Sequence, residues 1–198
     1  NWGIQPAADS AKLPAAQGQQ AIISGSCSQA TQGQVAHFVA QGGAAYQLDP
    51  LAWPSDTPPA DIAAQVVKWA TAHMASSPVL VYSTADAEQV KSVQAQRGTQ
   101  HAGEHTEQVL AQVAQGLVQH GVSQLVVAGG ETSGACVQAL GISQLTIGAQ
   151  IDPGVPWCYA PSRFALSGGL HITLKSGNFG SADFFTKAFQ SLHQSTHP

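Results

Sequence analysis

Three stretches rich in glycine and hydroxyl side chains have the composition of anion-binding turns. Ser24-Gly25-Ser26-Cys27-Ser28 follows the compact apolar run Ala21-Ile22-Ile23. Gly25 lets a backbone approach closely, and the hydroxyls of Ser24, Ser26 and Ser28 can cap a following helix or bond a phosphate. Gly129-Gly130-Glu131-Thr132-Ser133-Gly134 follows the run Leu125-Val126-Val127-Ala128. Gly129 and Gly130 permit a sharp turn with free N–H groups, Thr132 and Ser133 offer hydroxyls at a helix start, and Gly134 allows close packing on a sheet. Glu131 suits a helix N-terminus but would repel phosphate unless Mg²⁺ or a ribose hydroxyl lay between. The G-x-G-x-x-G order is not met, so the pattern specifies an anion or a nucleotide without choosing between them. The third stretch is Lys175-Ser176-Gly177-Asn178-Phe179-Gly180. A lysine at a strand end beside a glycine-rich turn suits a phosphate as a point charge. It is not a Walker A loop, because Leu174 stands where that motif needs glycine; a solvated lysine is the plainer account.

Two other patterns invite different chemistry. His101-Ala102-Gly103-Glu104-His105 matches the H-x-x-E-H spacing of a zinc protease class. Gly103 weakens the helix such a site needs, and no third ligand is placed by sequence, so no metal site is expected. Cys27 sits on a strand-to-helix turn where a thiol nucleophile could stand. Gln29 occupies the place where a nucleophile elbow needs glycine, and no histidine is positioned as its base.

The elements that must position these turns alternate along the chain. Short apolar strands are expected at 21–24, 45–48, 78–83, 124–128, 144–148 and 170–174. Helices are expected at about 29–41, after a proline-rich loop through Pro54, Pro58 and Pro59 with a face of Ile62, Val66, Trp69 and His73, from Asp86 to Gln96, onward to His120, from the Gly129 turn to Leu140, and from Ser181. Ile151-Asp152-Pro153-Gly154-Val155-Pro156-Trp157 reads as a proline-locked loop, with Trp157 in the core. Alternation of this kind specifies an α/β fold with a mainly parallel β-sheet and helices on both faces. Residues 1–19 lack periodicity and read as a linker or tail, leaving 20–198 as one domain.

The 198 residues are 43% hydrophobic and only 9% charged, against about a quarter charged in typical domains. A net charge of -4 and seven scattered basic residues exclude the basic footprint of nucleic-acid or anionic-membrane binding. Any anion site must therefore lean on backbone N–H groups. Three cysteines without C-x-x-C spacing fit reduced thiols in a cytoplasmic protein.

Taken in order, the serine turn, the Gly129–Gly134 turn, the Ile151–Trp157 stretch and the Lys175–Gly180 turn resemble the C-terminal domain of the four-carbon acid sugar kinase family. Its members include 3-oxo-tetronate, D-threonate and D-erythronate kinases, and the likeness runs from about Gln20 to Gln190. The resemblance implies a domain that binds ATP with Mg²⁺, through Ser26 or its neighbours Ser24 and Ser28, through Gly129, Gly130, Glu131 and Thr132, and through Gly177, with Lys175 offsetting phosphate charge. It implies a four-carbon sugar acid as the other substrate, held mostly by an N-terminal domain that also carries the catalytic base. That domain's Asp-Asp and Thr-Gly signature is missing here, and the start at Asn1 reads as a beginning after it. The isolated chain is then expected to bind nucleotide without turning over. A homo-oligomer is compatible with this reading. The rival readings are a small-molecule or nucleotide-binding module without catalysis, and a cysteine hydrolase using Cys27.

Overall fold

The computed structural model describes residues 12–75, 77–85, 88, 91, 93, 95 and 99–196. Its strands are β1 (Gln19–Ser24), β2 (Ala44–Gln47), β3 (Val79–Tyr82), β4 (Val122–Ala128), β5 (Thr146–Asp152), β6 (Val155–Pro161) and β7 (Gly169–Lys175). Its helices are α1 (Gln29–Ala40), α2 (Pro59–His73), α3 (Thr99–Gln119), α4 (Gly130–Ala139) and α5 (Phe184–Thr196). The helix expected over Asp86–Gln96 falls largely outside the described residues.

One seven-stranded sheet holds these elements in the order β2-β3-β1-β4-β7-β6-β5. The pairs β2–β3, β3–β1, β1–β4 and β4–β7 are parallel, while β5 and β6 add antiparallel strands beyond β7. Runs such as Ala21-Ile22-Ile23 and Leu125-Val126-Val127 are fully buried because both sheet faces are covered. Ile23 and Val127 face α2, α3 and α4, whereas Ile22 and Val126 face α1 and α5. On α2, Ile62, Val66 and Ala70 enter the core, and Trp69 stacks on His73 at its border, with ring centroids 4.6 Å apart.

Two expectations are corrected. The stretch Ile151–Trp157 is not a loop but the turn of the β5–β6 hairpin, with Gly154 at φ +80°. Pro153 and Pro156 suggested irregular chain, yet Pro156 lies outside the ladder with β7, which starts at Cys158, so its missing N–H interrupts nothing there. The segment before β1 is also packed. Leu13 and Ala16 are buried against the α1–α5 face, and His171 Nε2 donates to the Pro14 carbonyl across 2.9 Å. Among the described residues no helix is long and apolar enough to cross a membrane.

Trp157 is buried beside Phe189 and donates through Nε1 to the Ala188 carbonyl at 2.8 Å, which fastens α5 to the hairpin. Trp157→Phe should lower stability by about 1–3 kcal/mol, seen as a lower urea midpoint at unchanged slope. An unchanged midpoint would contradict this packing.

Candidate functional site

Parallel pairing brings the three sequence turns to one edge. The ladder runs past the strand ends: Gly25 N donates to the Ala128 carbonyl at 3.0 Å, and Gly129 N to the Lys175 carbonyl at 2.9 Å. After β1 and β7 the chain enters α1 and α5 on one face, and after β4 it enters α4 on the other. Adjacent connections that leave in opposite directions open a crevice beyond the carboxyl ends of the strands, where ligands of such sheets gather.

Each turn contributes differently. Ser28 is the N-cap of α1, accepting from Thr31 N at 3.2 Å, and its hydroxyl also reaches the Gly177 carbonyl at 2.5 Å. Ser26 Oγ lies 3.2 Å from Ser28 Oγ. At α4, Gly129 holds φ +127°, which a side chain would oppose. The first bond of this helix is Ser133 N to the Gly129 carbonyl at 2.9 Å, so the N–H groups of Gly130, Glu131 and Thr132 precede the ladder. Gly130 and Glu131 are exposed at that helix start. A Cβ on Gly177 would stand 2.6 Å from Ser26 Oγ, so glycine is what lets the third turn close on the first. Gln34 steadies the same loop, with Nε2 3.0 Å from the carbonyls of Phe179, Gly180 and Ser181. Asp152 takes Ser181 N and Oγ at 3.0 Å each and pairs with Lys187.

The structure brings Ser26, Ser28, Gly129, Gly130, Glu131 and Gly177 to this edge and turns three expected side chains inward. Ser24 is fully buried, its hydroxyl paired with Thr84 Oγ1 at 2.8 Å. The Thr132 hydroxyl is buried too and donates to Glu107 Oε1 at 3.0 Å, leaving its backbone N–H at the helix start. Lys175 is fully buried, with Nζ donating to Thr31 Oγ1 at 3.0 Å, Ser176 O at 3.2 Å and Gly177 O at 3.1 Å. The reading of Lys175 as a cation open to phosphate is corrected on that ground.

Glu107 of α3 escaped the sequence reading. It lies beneath the meeting point of the first two turns, where a Cβ on Gly25 would stand 3.0 Å from Glu107 Oε1, and among the described residues its buried Oε2 has no partner. Burial pushes its carboxyl up, the Thr132 hydroxyl partly offsets this, and the Glu131 charge adds to the rise. The available signal was helical spacing: Glu107 falls in line with the buried Leu110, Ala114 and Leu117.

The rival patterns find no support among the described residues. α3 runs unbroken through Gly103, and His105 Nε2 bonds the Thr57 carbonyl at 3.0 Å. The His101 side chain lies outside the described residues, and among these no group of three metal-ligating side chains occurs. Cys27 is exposed, and no histidine bonds its thiol among the described residues. Cavities lined by described residues flank the sheet. A larger one, about 450 Å³, lies at the amino edge between Gln17, Ser123 and His171. A smaller one, about 250 Å³, opens at the carboxyl edge among Gln47, Leu48, Leu51 and Ser83. Free N–H groups, not volume, decide where an anion binds, and those groups line the carboxyl edge.

A parallel α/β sheet whose strand-to-helix turns expose peptide N–H groups in one crevice defines a nucleotide-binding type of domain. The sequence profile of a family described as the nucleotide-binding C-terminal domain matches residues 21–185, and the chain belongs to that family. It is similar to the 3-oxo-tetronate kinase of Cupriavidus necator, at 47% identity over 93% of this chain and 40% of that protein. The 3-oxo-tetronate kinase of Burkholderia multivorans is 46% identical over 93% of this chain and 41% of that protein. The chain thus spans about two fifths of the length of these curated relatives. Among solved structures it is similar to a protein of Salmonella typhimurium LT2, with a TM-score of 0.80 and 34% identity over 90% of this chain and 42% of that one. The Haemophilus influenzae protein HI1011 gives a TM-score of 0.78 at 34% identity, over 91% and 42%.

Two outcomes check the site. Cys27 should react with a thiol reagent in the native state, while the buried Cys136, its thiol pushed up to about 12 by burial, and the buried Cys158 should react only on unfolding. Three rapid thiols in the native protein would contradict the fold. A carboxyl raised by folding loses stability as pH climbs through its folded value, so Glu107→Gln should gain on the parent as pH rises above the ordinary carboxylate range. A stability difference independent of pH would contradict a charged Glu107 in this position.

Proposed function

We propose that this chain is the ATP-binding domain of a kinase that phosphorylates a four-carbon sugar acid, of the 3-oxo-tetronate type. The observation that carries the proposal is the meeting of three N–H-bearing turns at one sheet edge, in a domain whose relatives are named 3-oxo-tetronate kinases. The orphan N–H groups at the start of α4 and the glycine turn after β7 fit the phosphates of a nucleotide. They also suit a protein with so few basic side chains.

Phosphoryl transfer asks mainly for positioning and for charge stabilisation. Gly129 and Gly130 let backbone N–H groups meet the phosphates, Ser26 and Ser28 frame them, and Gly177 closes the third side. Exposed Glu131 would hold a ribose hydroxyl or a water of Mg²⁺, and the metal would neutralise phosphate charge. An N-terminal domain binds the sugar acid and supplies the catalytic base. The three free thiols are consistent with a cytoplasmic setting.

Calorimetry should detect ADP or ATP binding in the presence of Mg²⁺, with little or no turnover of four-carbon acids by this chain alone. Adding the substrate domain of a relative should restore phosphorylation, and Cys27→Ser should leave it largely intact. Binding without turnover in every combination would favour a non-catalytic nucleotide module. An absence of binding at millimolar nucleotide would refute the proposal.

A further inference from the structure

Among the described residues Lys175 is a buried cation without a carboxylate partner. Its ammonium is spent on Thr31 Oγ1 and on the carbonyls of Ser176 and Gly177. The Gly177 carbonyl receives further donors, Ser28 Oγ at 2.5 Å and Thr31 Oγ1 at 2.9 Å. So many donors on one carbonyl fix the direction of its peptide. No peptide bond here is cis, and in a trans peptide the N–H of the next residue points opposite to the carbonyl. With the carbonyls of Ser176 and Gly177 drawn inward, the N–H groups of Gly177 and Asn178 turn outward. Neither meets an acceptor among the described residues. Successive outward N–H groups on a turn form an anion-binding concavity.

We infer that Lys175 is a positioning residue: from beneath the loop it aims the N–H groups of Gly177 and Asn178 at a phosphate of the nucleotide, without touching that phosphate. Thr31 and Ser28 are its partners in this. The inference rests on the nucleotide reading above and gives Lys175 a different role from a direct phosphate contact. It also accounts for a buried charge that would otherwise be costly, because an anion on the outer face of the loop supplies the missing counter-charge. Burial pushes the ammonium down to about 8. The groups facing it are Thr31 and Ser28 from α1, the carbonyls of its own loop and Ala128 across the β4 ladder, none of which titrates. A bound phosphate favours the protonated lysine, so binding takes up a proton and affinity falls as pH rises past about 8.

The test compares binding of Mg-ADP and of adenosine to the parent chain, Lys175→Met, Thr31→Val and Thr31→Ser, by ligand-observed NMR from pH 7 to 9.5. Lys175→Met should weaken ADP by about tenfold or more and leave adenosine within about twofold. The fall in ADP affinity with rising pH should appear in the parent and vanish in Lys175→Met. Thr31→Val should weaken ADP selectively and Thr31→Ser should restore it, which decides the matter if Lys175→Met does not fold. A folded Lys175→Met chain that binds ADP like the parent, or loses adenosine equally, overturns the inference while the nucleotide reading stands. Failure of the parent chain to bind ADP overturns both.

Discussion

The parallel pairing of β1, β4 and β7 is the constraint on which the rest depends. Strands far apart in sequence are held in register, Ser24 opposite Ala128 and Ala128 opposite Lys175. The hydrogen bonds Gly25–Ala128 and Gly129–Lys175 then carry that register one residue beyond the strands. A turn that belongs to one strand is thereby fixed to the end of the next. Because α1 and α5 leave to one face and α4 to the other, the turns diverge above this ladder and cannot close the space between them. Neither the glycines nor the serines would form a site if the register slipped.

The electrostatics follow from composition. A chain that is 9% charged has few side chains with which to meet an anion, and its crevice relies on peptide dipoles. Two ionisable groups lie beneath the turns, Lys175 under the β7 loop and Glu107 under the crossing of the β1 and β4 turns. Both act on backbone or hydroxyl groups: Lys175 on two carbonyls, Glu107 on the Thr132 hydroxyl. The charges thus set the shape of the crevice, and N–H groups face its opening.

Much of this was legible in the sequence. β1, β3 and β4 announce themselves as unbroken apolar runs because both of their faces are covered, and glycine turns follow β1 and β4 directly. With the parallel class in hand, the meeting of the three turns at one edge followed by geometry. What escaped was tertiary. Pro153 and Pro156 hid the β5–β6 hairpin, since a proline is tolerated wherever the ladder needs no N–H from it. Leu13 and Ala16 lie in an aperiodic segment, and only the α1–α5 face gives them a place. The inward aim of Ser24, Thr132 and Lys175 depends on Thr84, Glu107 and Thr31, each distant in sequence, so residue type showed the chemistry without its direction.

The central claim is that the carboxyl edge, not the larger cavity at the amino edge, receives the nucleotide. Titration of the ¹⁵N-labelled chain with Mg-ADP tests it directly, because each amide reports its own surroundings. The account predicts the largest shifts at Ser26, Gly130, Glu131, Gly177 and Asn178, with Gly18, Ser123 and His171 unmoved. Shifts centred on Gly18, Ser123 and His171, with the three turns silent, would contradict it.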